Sequence, residues 1–404
     1  MCFWITGKSN NAIIKLSFRK AILSKSRNTK KEKGRNSMPD GLKVRMIKGP
    51  AEVVVKGSCH VLGRDVSGQT VKVRAGNALP FEPSNRWCKL HARLGHGARL
   101  WWADPKQAGT SMWLSLAQRV SDLASRKKTT VMLVGDTDTG KSTLAIYLAN
   151  MAIRRGLIPS IIDGDIGQGD LAPPTAIGSA FLSKQLVDLR DVNSSLFEVI
   201  GSISPIGFEE LIAKKLRSML DRTSPFADIS IVNTDGYVRN GGLEYKSMIA
   251  QKLQPDAIIS LGENVLFDGW HNVASWQIFH ARSSSQAYKS RLERLNRRLD
   301  QFLRYVGNEY TIVNLLQIKF DYMNTLFSPF DLRQPPLKQL EPENMTGMFV
   351  GLGSNGTVMG FGVIKNVNPN NSTIHTQTNI NSFDTIYLSN IRLSSDRIME
   401  VRLT

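Results

Sequence analysis

The spacing of apolar positions changes character three times along this chain. Between residues 38 and 108 short alternating runs dominate. Glu52-Val53-Val54-Val55-Lys56 stops at Gly57, Gln69-Thr70-Val71-Lys72-Val73-Arg74 stops before Gly76, and Arg99-Leu100-Trp101-Trp102 follows a glycine-rich bend. Alternation punctuated by Gly63, Gly68 and Gly76 predicts the strands of a small β-sandwich or barrel. From 110 to 325 continuous apolar runs alternate with helical spacing. Met112 to Lys127 places Leu114, Ala117 and Val120 on one helical face, and the runs at 131–134, 160–163, 228–233 and 256–261 predict buried strands, with Glu309–Val313 as a fifth. Strands separated by helices form a mostly parallel sheet wrapped by helices, whose ligands sit at the carboxyl ends of the strands. Pro329, Pro335, Pro336 and Pro342 mark a linker, after which Met348–Leu352, Val358–Ile364 and Thr385–Leu388 read as strands of a compact β-domain.

One loop in the central region carries recognisable chemistry. Val131-Met132-Leu133-Val134 is followed by Gly135-Asp136-Thr137-Asp138-Thr139-Gly140-Lys141-Ser142-Thr143, which fits G-x-x-x-x-G-K-[ST] between a buried strand and a helix. The two glycines permit a backbone that turns successive N–H groups toward one point. The helix start adds its positive dipole end, so Gly135 to Thr143 form a candidate nucleotide triphosphate site, with ATP expected. Lys141 can reach the β- and γ-phosphates, and Ser142 can offer its hydroxyl to Mg²⁺ or another divalent ion. The expected architecture is therefore α/β. A central P-loop NTPase domain (109–325) is flanked by small N- and C-terminal β-domains (38–108 and 326–404).

Three further segments follow strand ends or a helix start. Asp163-Gly164-Asp165-Ile166-Gly167-Gln168 places two carboxylates on one side of an extended stretch, able to hold a metal ion or take a proton from an attacking hydroxyl. As an alternative, the same residues make an Asx turn. Asn233-Thr234-Asp235-Gly236-Tyr237 offers a hydroxyl and an aromatic ring that could grip a terminal nucleotide, although Tyr237 taken alone reads as packing. After Arg282-Ser283-Ser284-Ser285, the basic stretch 289–298 sets Arg291, Arg294 and Arg298 on one helical face. Arg291 and Arg294 are candidates to close over a triphosphate, while a solvated basic helix would show the same pattern.

Composition narrows the class. The chain has 404 residues, 41% hydrophobic, a formal charge of +18 and no apolar run long enough to span a bilayer. Roughly half of the positive excess falls in residues 1–37, where Glu32 alone opposes a run of Lys and Arg. That segment is expected to be disordered: a nucleic-acid-binding arm, a transit-like peptide, or an extension upstream of a true start at Met38. Cys2, Cys59 and Cys88 make no even disulfide framework, and Cys59-His60 with Cys88 and His91 fits no zinc spacing. A reduced intracellular protein is expected, cytoplasmic, or nuclear in a eukaryote, with a polyanion such as RNA as partner.

Together the phosphate loop, Asp-Gly-Asp-Ile-Gly-Gln, Asn-Thr-Asp-Gly-Tyr and the Arg-rich stretch resemble the polyribonucleotide 5′-hydroxyl-kinases, which are related to the kinase subunit of the messenger-RNA cleavage factor. The weaker Gly49-Pro50-Ala51-Glu52-Val53 extends the resemblance to roughly residues 42–400. It implies transfer of the ATP γ-phosphate to the 5′-hydroxyl of RNA, with single-stranded DNA as a further candidate acceptor. It also implies that the N-terminal domain helps hold adenine. By the same resemblance Asp165 would be the general base and a metal ligand, with Gln168 beside it, and Thr234, Gly236 and Tyr237 would form an RNA clasp. Many members carry Trp where this chain has Tyr237. The rival expectation is a nucleotide-binding scaffold in an RNA-processing assembly with little or no catalysis. A metal-insertion or partitioning NTPase is disfavoured, because water as acceptor needs no sugar clamp.

Overall fold

The phosphate-loop strand Thr129–Gly135 lies near the middle of a seven-stranded sheet, in a computed structural model that describes residues 43–106, 108, 110–262, 276–282, 288–327, 342–394 and 397–401. The expectations for residues 1–37, for Met38 as start, and for Ser283, Ser284 and Ser285 lie outside the described residues. The strand order is Leu196–Val199, Ala176–Phe181, Pro159–Gly164, Ile229–Thr234, Thr129–Gly135, Ala257–Leu261, Gln277–Ala281. The last five run parallel, and the first two add an antiparallel edge. Parallel strands are covered on both faces, which is why the inner ones read as unbroken apolar runs. One face packs against the helices Thr110–Ala124 and Lys141–Arg154. Glu209–Thr223 and Gly242–Leu253 cover the other.

The N-terminal region forms two antiparallel sheets, one of five strands and one of three. The expected strands appear as Ala51–Lys56, Thr70–Val73 and Arg99–Ala103, joined by Val44–Lys48, Ala78–Pro83 and Lys89–Leu94. Their buried residues, among them Val53, Leu62, Leu79 and Phe81, share one apolar cluster with Leu144 and Leu148 of the phosphate-loop helix. The C-terminal residues form an eight-stranded sheet with its own core.

One expected strand belongs elsewhere. Tyr310–Asn314 is not a fifth strand of the central sheet; it pairs antiparallel with Thr373–Gln377 at the edge of the C-terminal sheet. Its burial alternates, with Tyr310 and Ile312 exposed, as suits a strand covered on one face only. The strand beside Ala257–Leu261 is instead Gln277–Ala281. The C-terminal sheet thus draws on residues before 325, inside the stretch assigned from the pattern to the central domain.

The basic stretch forms the helix Arg291–Tyr305, begun by a capping box between Ser290 and Glu293. Its far end is fixed by Phe302, fully buried with its ring 4.7 Å from that of Phe349 in the C-terminal sheet. Its near end is held to the N-terminal region by the ion pair of Glu293 with Lys48 at 2.8 Å. This helix therefore spans the mouth of the central sheet from one flanking unit to the other.

Asn150 joins three segments around the same mouth. Its buried amide donates to the carbonyls of Leu62 (2.7 Å) and Leu186 (2.8 Å) and accepts from the Leu186 N–H (3.0 Å). Asn150→Ala strands these buried groups, each costing about 1–3 kcal/mol. A loss of roughly 2–5 kcal/mol in urea unfolding is expected, together with weaker nucleotide binding, because Leu62 and Val187 line the nucleotide pocket. An unchanged unfolding midpoint would show that Asn150 does not hold the junction.

Candidate active site

Gly135 sits where a Cβ would lie 2.5 Å from the Leu261 carbonyl oxygen, so the loop leaves the sheet through a gap only glycine fits. Asp138 (φ 61°) and Gly140 (φ 95°) adopt left-handed conformations, curling the chain before the helix opens at Lys141. Gly140 provides no side-chain cap, leaving the first helical N–H groups to face the pocket. Lys141 is buried and donates to the carbonyls of Gly135 and Asp136, both at 2.8 Å. Burial pulls its pKa down to about 8, against the opposing pull of Asp165.

The Asp-Gly-Asp-Ile-Gly-Gln loop lies across from it, and its two carboxylates have different surroundings. Asp163 is buried and accepts from the Asp170 N–H at 2.6 Å and the Asn233 amide at 2.9 Å, and burial pushes its pKa up to about 6. Asn233 also donates to the Ser142 hydroxyl at 3.1 Å, linking the sheet floor to the phosphate-loop helix. Asp165 accepts from the N–H groups of Gly167 (3.1 Å) and Gln168 (2.9 Å), both at Oδ1. Burial and the nearby Asp235 charge raise its pKa, and Lys141 opposes them. Asp165, Gln168, Lys141 and Ser142 line one pocket with Thr137 to Gly140 and Thr143. The Gln168 amide nitrogen is buried there without a hydrogen-bond partner.

The pocket is completed by groups that spacing alone did not single out. Leu62, Leu79, Ile146 and Val187 make one wall apolar. Arg297 enters from the helix Arg291–Tyr305, which forms a lid beside the pocket mouth, and Lys289 from the segment just before it. Arg297 is buried, bonded to Asp170 at 2.6 Å and Asn77 at 2.7 Å. Arg298 donates to the Gly167 carbonyl at 2.9 Å. Arg294 and Lys289 both pair with Asp138 of the phosphate loop, each at 2.8 Å. Burial alone would raise the Asp138 carboxyl, but these two cations hold it below its usual range. Arg291 lies exposed on the first turn, outside the residues lining the pocket. The capping box was the available signal: with the helix started at Ser290, Arg294, Arg297 and Gln301 share the inward face.

Asn233 and Thr234 end the strand Ile229–Thr234, and the chain then bends at Gly236 against the phosphate loop. Thr234 is buried, its hydroxyl donating to the Leu133 carbonyl at 2.8 Å. Gly236 abuts Thr137 so closely that a Cβ would lie 2.4 Å from the Thr137 hydroxyl oxygen. Tyr237 is half-buried, with its hydroxyl on the Asn240 carbonyl. Beneath the turn Asp235 accepts from the Tyr237 N–H (2.8 Å), the Tyr245 hydroxyl (2.9 Å) and the wholly buried Lys246 ammonium (2.8 Å).

Comparison with known proteins agrees with this geometry. Residues 135–308 match the family described as the mRNA cleavage and polyadenylation factor CLP1 P-loop. A polyribonucleotide 5′-hydroxyl-kinase of Pyrococcus horikoshii is 34% identical over 197 residues, 48% of this chain and 53% of that protein. Over this stretch the chain is similar to polyribonucleotide 5′-hydroxyl-kinases. A second such kinase, of Pyrococcus abyssi, is 24% identical over 325 residues, 68% of this chain and 89% of the relative. The match to the Pyrococcus horikoshii protein spans about half of that relative's length. A solved structure of the Pcf11p–Clp1p interface superposes with a TM-score of 0.66 at 13% identity, covering 89% of this chain and 99% of that one, and supports the fold. Among the described residues no helix is long and apolar enough to cross a membrane.

The depressed pKa of Lys141 gives a pH signature. Below about pH 8 its ammonium is present before and after a triphosphate binds, so affinity is flat. Bound phosphate raises the pKa, so above about pH 8 binding takes up a proton and affinity falls by up to about tenfold per pH unit. Titrating ATP affinity from about pH 7 to 9.5 checks this. Lys141→Met should flatten the curve, and a flat wild-type curve would reject the assignment.

Proposed function

We propose that this chain is an ATP-dependent polynucleotide kinase that phosphorylates the 5′-hydroxyl of RNA, with single-stranded DNA as a secondary acceptor. The observation that carries the reading is Asp165, whose Oδ2 takes neither of the two backbone donors, in the same pocket as Lys141 and the orphaned Gln168 amide. The triphosphate would lie along Gly135 to Thr143, with adenine against the apolar wall that Leu62 and Leu79 of the N-terminal sheets help to form. In the step, the 5′-oxygen forms a bond to the γ-phosphorus and its proton passes to Asp165. The bond to the bridging oxygen breaks, and ADP leaves with that electron pair. A raised Asp165 pKa suits the proton transfer, and Lys141 with Lys289 neutralises the transferring group. Arg294 could join them by exchanging Asp138 for phosphate.

A divalent cation such as Mg²⁺ fits the oxygen donors present. Asn233 Nδ2 donates to the Ser142 hydroxyl and to Asp163, and its own Oδ1 is buried without a partner. No cluster of three metal-ligating side chains exists among the described residues. That suits an ion held chiefly by phosphate and water with one or two protein oxygens. Ser142 and Asp165 would hold it, and it would supply positive charge to neutralise the transferring phosphoryl group. Tyr237, at the surface of its turn, would meet the terminal nucleotide. Thr234 and Gly236 would set the turn's position rather than touch RNA.

Asp165→Asn should lower single-turnover transfer to a 5′-hydroxyl oligoribonucleotide by roughly 10²–10⁴ with ATP affinity little changed. Asp163→Asn should show its effect first in stability, because the Asp163 carboxylate accepts from a buried backbone N–H and from Asn233. Equal transfer by wild type and Asp165→Asn would remove Asp165 from the mechanism.

A further inference from the structure

The solvent face of the three-stranded N-terminal sheet is basic in a way its own folding does not require. Lys56 and Lys89 lie directly opposite each other on paired strands, and Lys72 and Arg93 flank Glu52 on the same face. All four cations are exposed, and among the described residues Glu52 is the only carboxylate paired with any of them, with Arg93 at 3.8 Å. Like charges set opposite on neighbouring strands destabilise a sheet. At the Lys89 end the chain carries Arg86 and Trp87. Trp87 is 71% exposed, and the Arg86 guanidinium lies 4.8 Å from its ring centre. A large aromatic this exposed, beside unpaired cations, is the composition of a surface that stacks a base and neutralises phosphates.

The same strand points this surface toward the reaction centre. Lys89–Leu94 spans six residues, about 17–20 Å at the usual rise. At its Leu94 end opens a groove of about 710 Å³ that Lys48, Arg99, Trp101 and the exposed Tyr288 also line. Lys289, next in the chain, already lines the nucleotide pocket.

We propose that the exposed face carrying Lys56, Lys72, Lys89 and Arg93, with Trp87 at its end, is a docking platform for the body of a single-stranded RNA whose 5′ end lies in the kinase pocket. The strand would leave the pocket past Tyr288, follow the Lys48–Arg99 groove and cross the basic sheet, with one base stacked on Trp87. This placement rests on the RNA-kinase reading; the platform's affinity for RNA can be measured without it.

The test uses the full-length protein, the variants Trp87→Ala and Lys56→Ala/Lys89→Ala, and fluorescent single-stranded RNAs of 3 and 20 nucleotides. All of the substituted side chains are exposed, so folding should be retained, as circular dichroism would verify. Each variant should bind the 20-mer about tenfold more weakly, and the double lysine variant should have a shallower salt dependence, by about one unit of slope per lost phosphate contact. In transfer assays KM for the 20-mer should rise while kcat, and KM for the 3-mer, stay unchanged. Unaltered 20-mer affinity and salt slope would overturn the platform, as would equal weakening for both lengths. If no transfer occurs but the binding differences hold, the kinase reading fails and the platform stands. An acidic protein that competes no better against wild type than against the variants leaves RNA as the ligand, whereas one that binds only wild type while RNA binds all equally overturns the proposal.

Discussion

Burying an ion without a partner costs several kcal/mol, and the floor of the phosphate pocket holds many ions at once. Lys141, Lys246, Arg297, Asp163, Asp170 and Asp235 are all buried there. Each is answered by a neighbour of opposite charge or by backbone dipoles. Lys246 meets Asp235, Arg297 meets Asp170, and Lys141 meets two loop carbonyls. These pairs are why the motifs stand where they do. Asp235 fixes the turn that carries Tyr237, and Asp170 fixes the lid helix over the Gly167–Gln168 turn. Lys141 is the member whose partners can be exchanged, because loop carbonyls are weak substitutes for phosphate oxygens.

The lid extends this logic across the molecule. Asp138 ties the phosphate loop to Lys289 and Arg294, Lys48 ties the lid to the N-terminal sheet through Glu293, and Phe302 seats it on the C-terminal sheet. A nucleotide entering the pocket would therefore touch parts contributed by two of the three regions and a helix braced on the third. The N-terminal β-unit is a wall of the site, since Leu62 and Leu79 line it, and the C-terminal β-unit braces through Phe349 the helix that carries Arg297.

Much of this was legible in the residues. The phosphate loop and four parallel strands follow from glycine placement and unbroken apolar runs, because a loop that presents its own backbone is written in local sequence. Asp165 and Gln168 were singled out because their loop follows a buried strand, and both line the pocket. What escaped is long-range pairing. Nothing local tells that Asp138 will neutralise Arg294 across 156 residues. That Arg297 rather than Arg291 faces inward was signalled only by the Ser290–Glu293 capping box, which sets where the helix starts. The Thr234 hydroxyl donates to the Leu133 carbonyl, a contact fixed by sheet order and not written in the local residues. Tyr310–Asn314 was assigned to the wrong sheet because a half-buried edge strand and a short buried one look alike over five residues.

The central claim is that the pocket passes phosphate to a nucleic-acid hydroxyl and not to water. It is tested most directly by following ADP formation from ATP with the same RNA bearing either a 5′-hydroxyl or a 5′-phosphate. The account predicts ADP formation matched one for one by 5′-phosphorylated RNA in the first case, and near-background turnover in the second. Equal ADP formation with both RNAs, or with none, would contradict it.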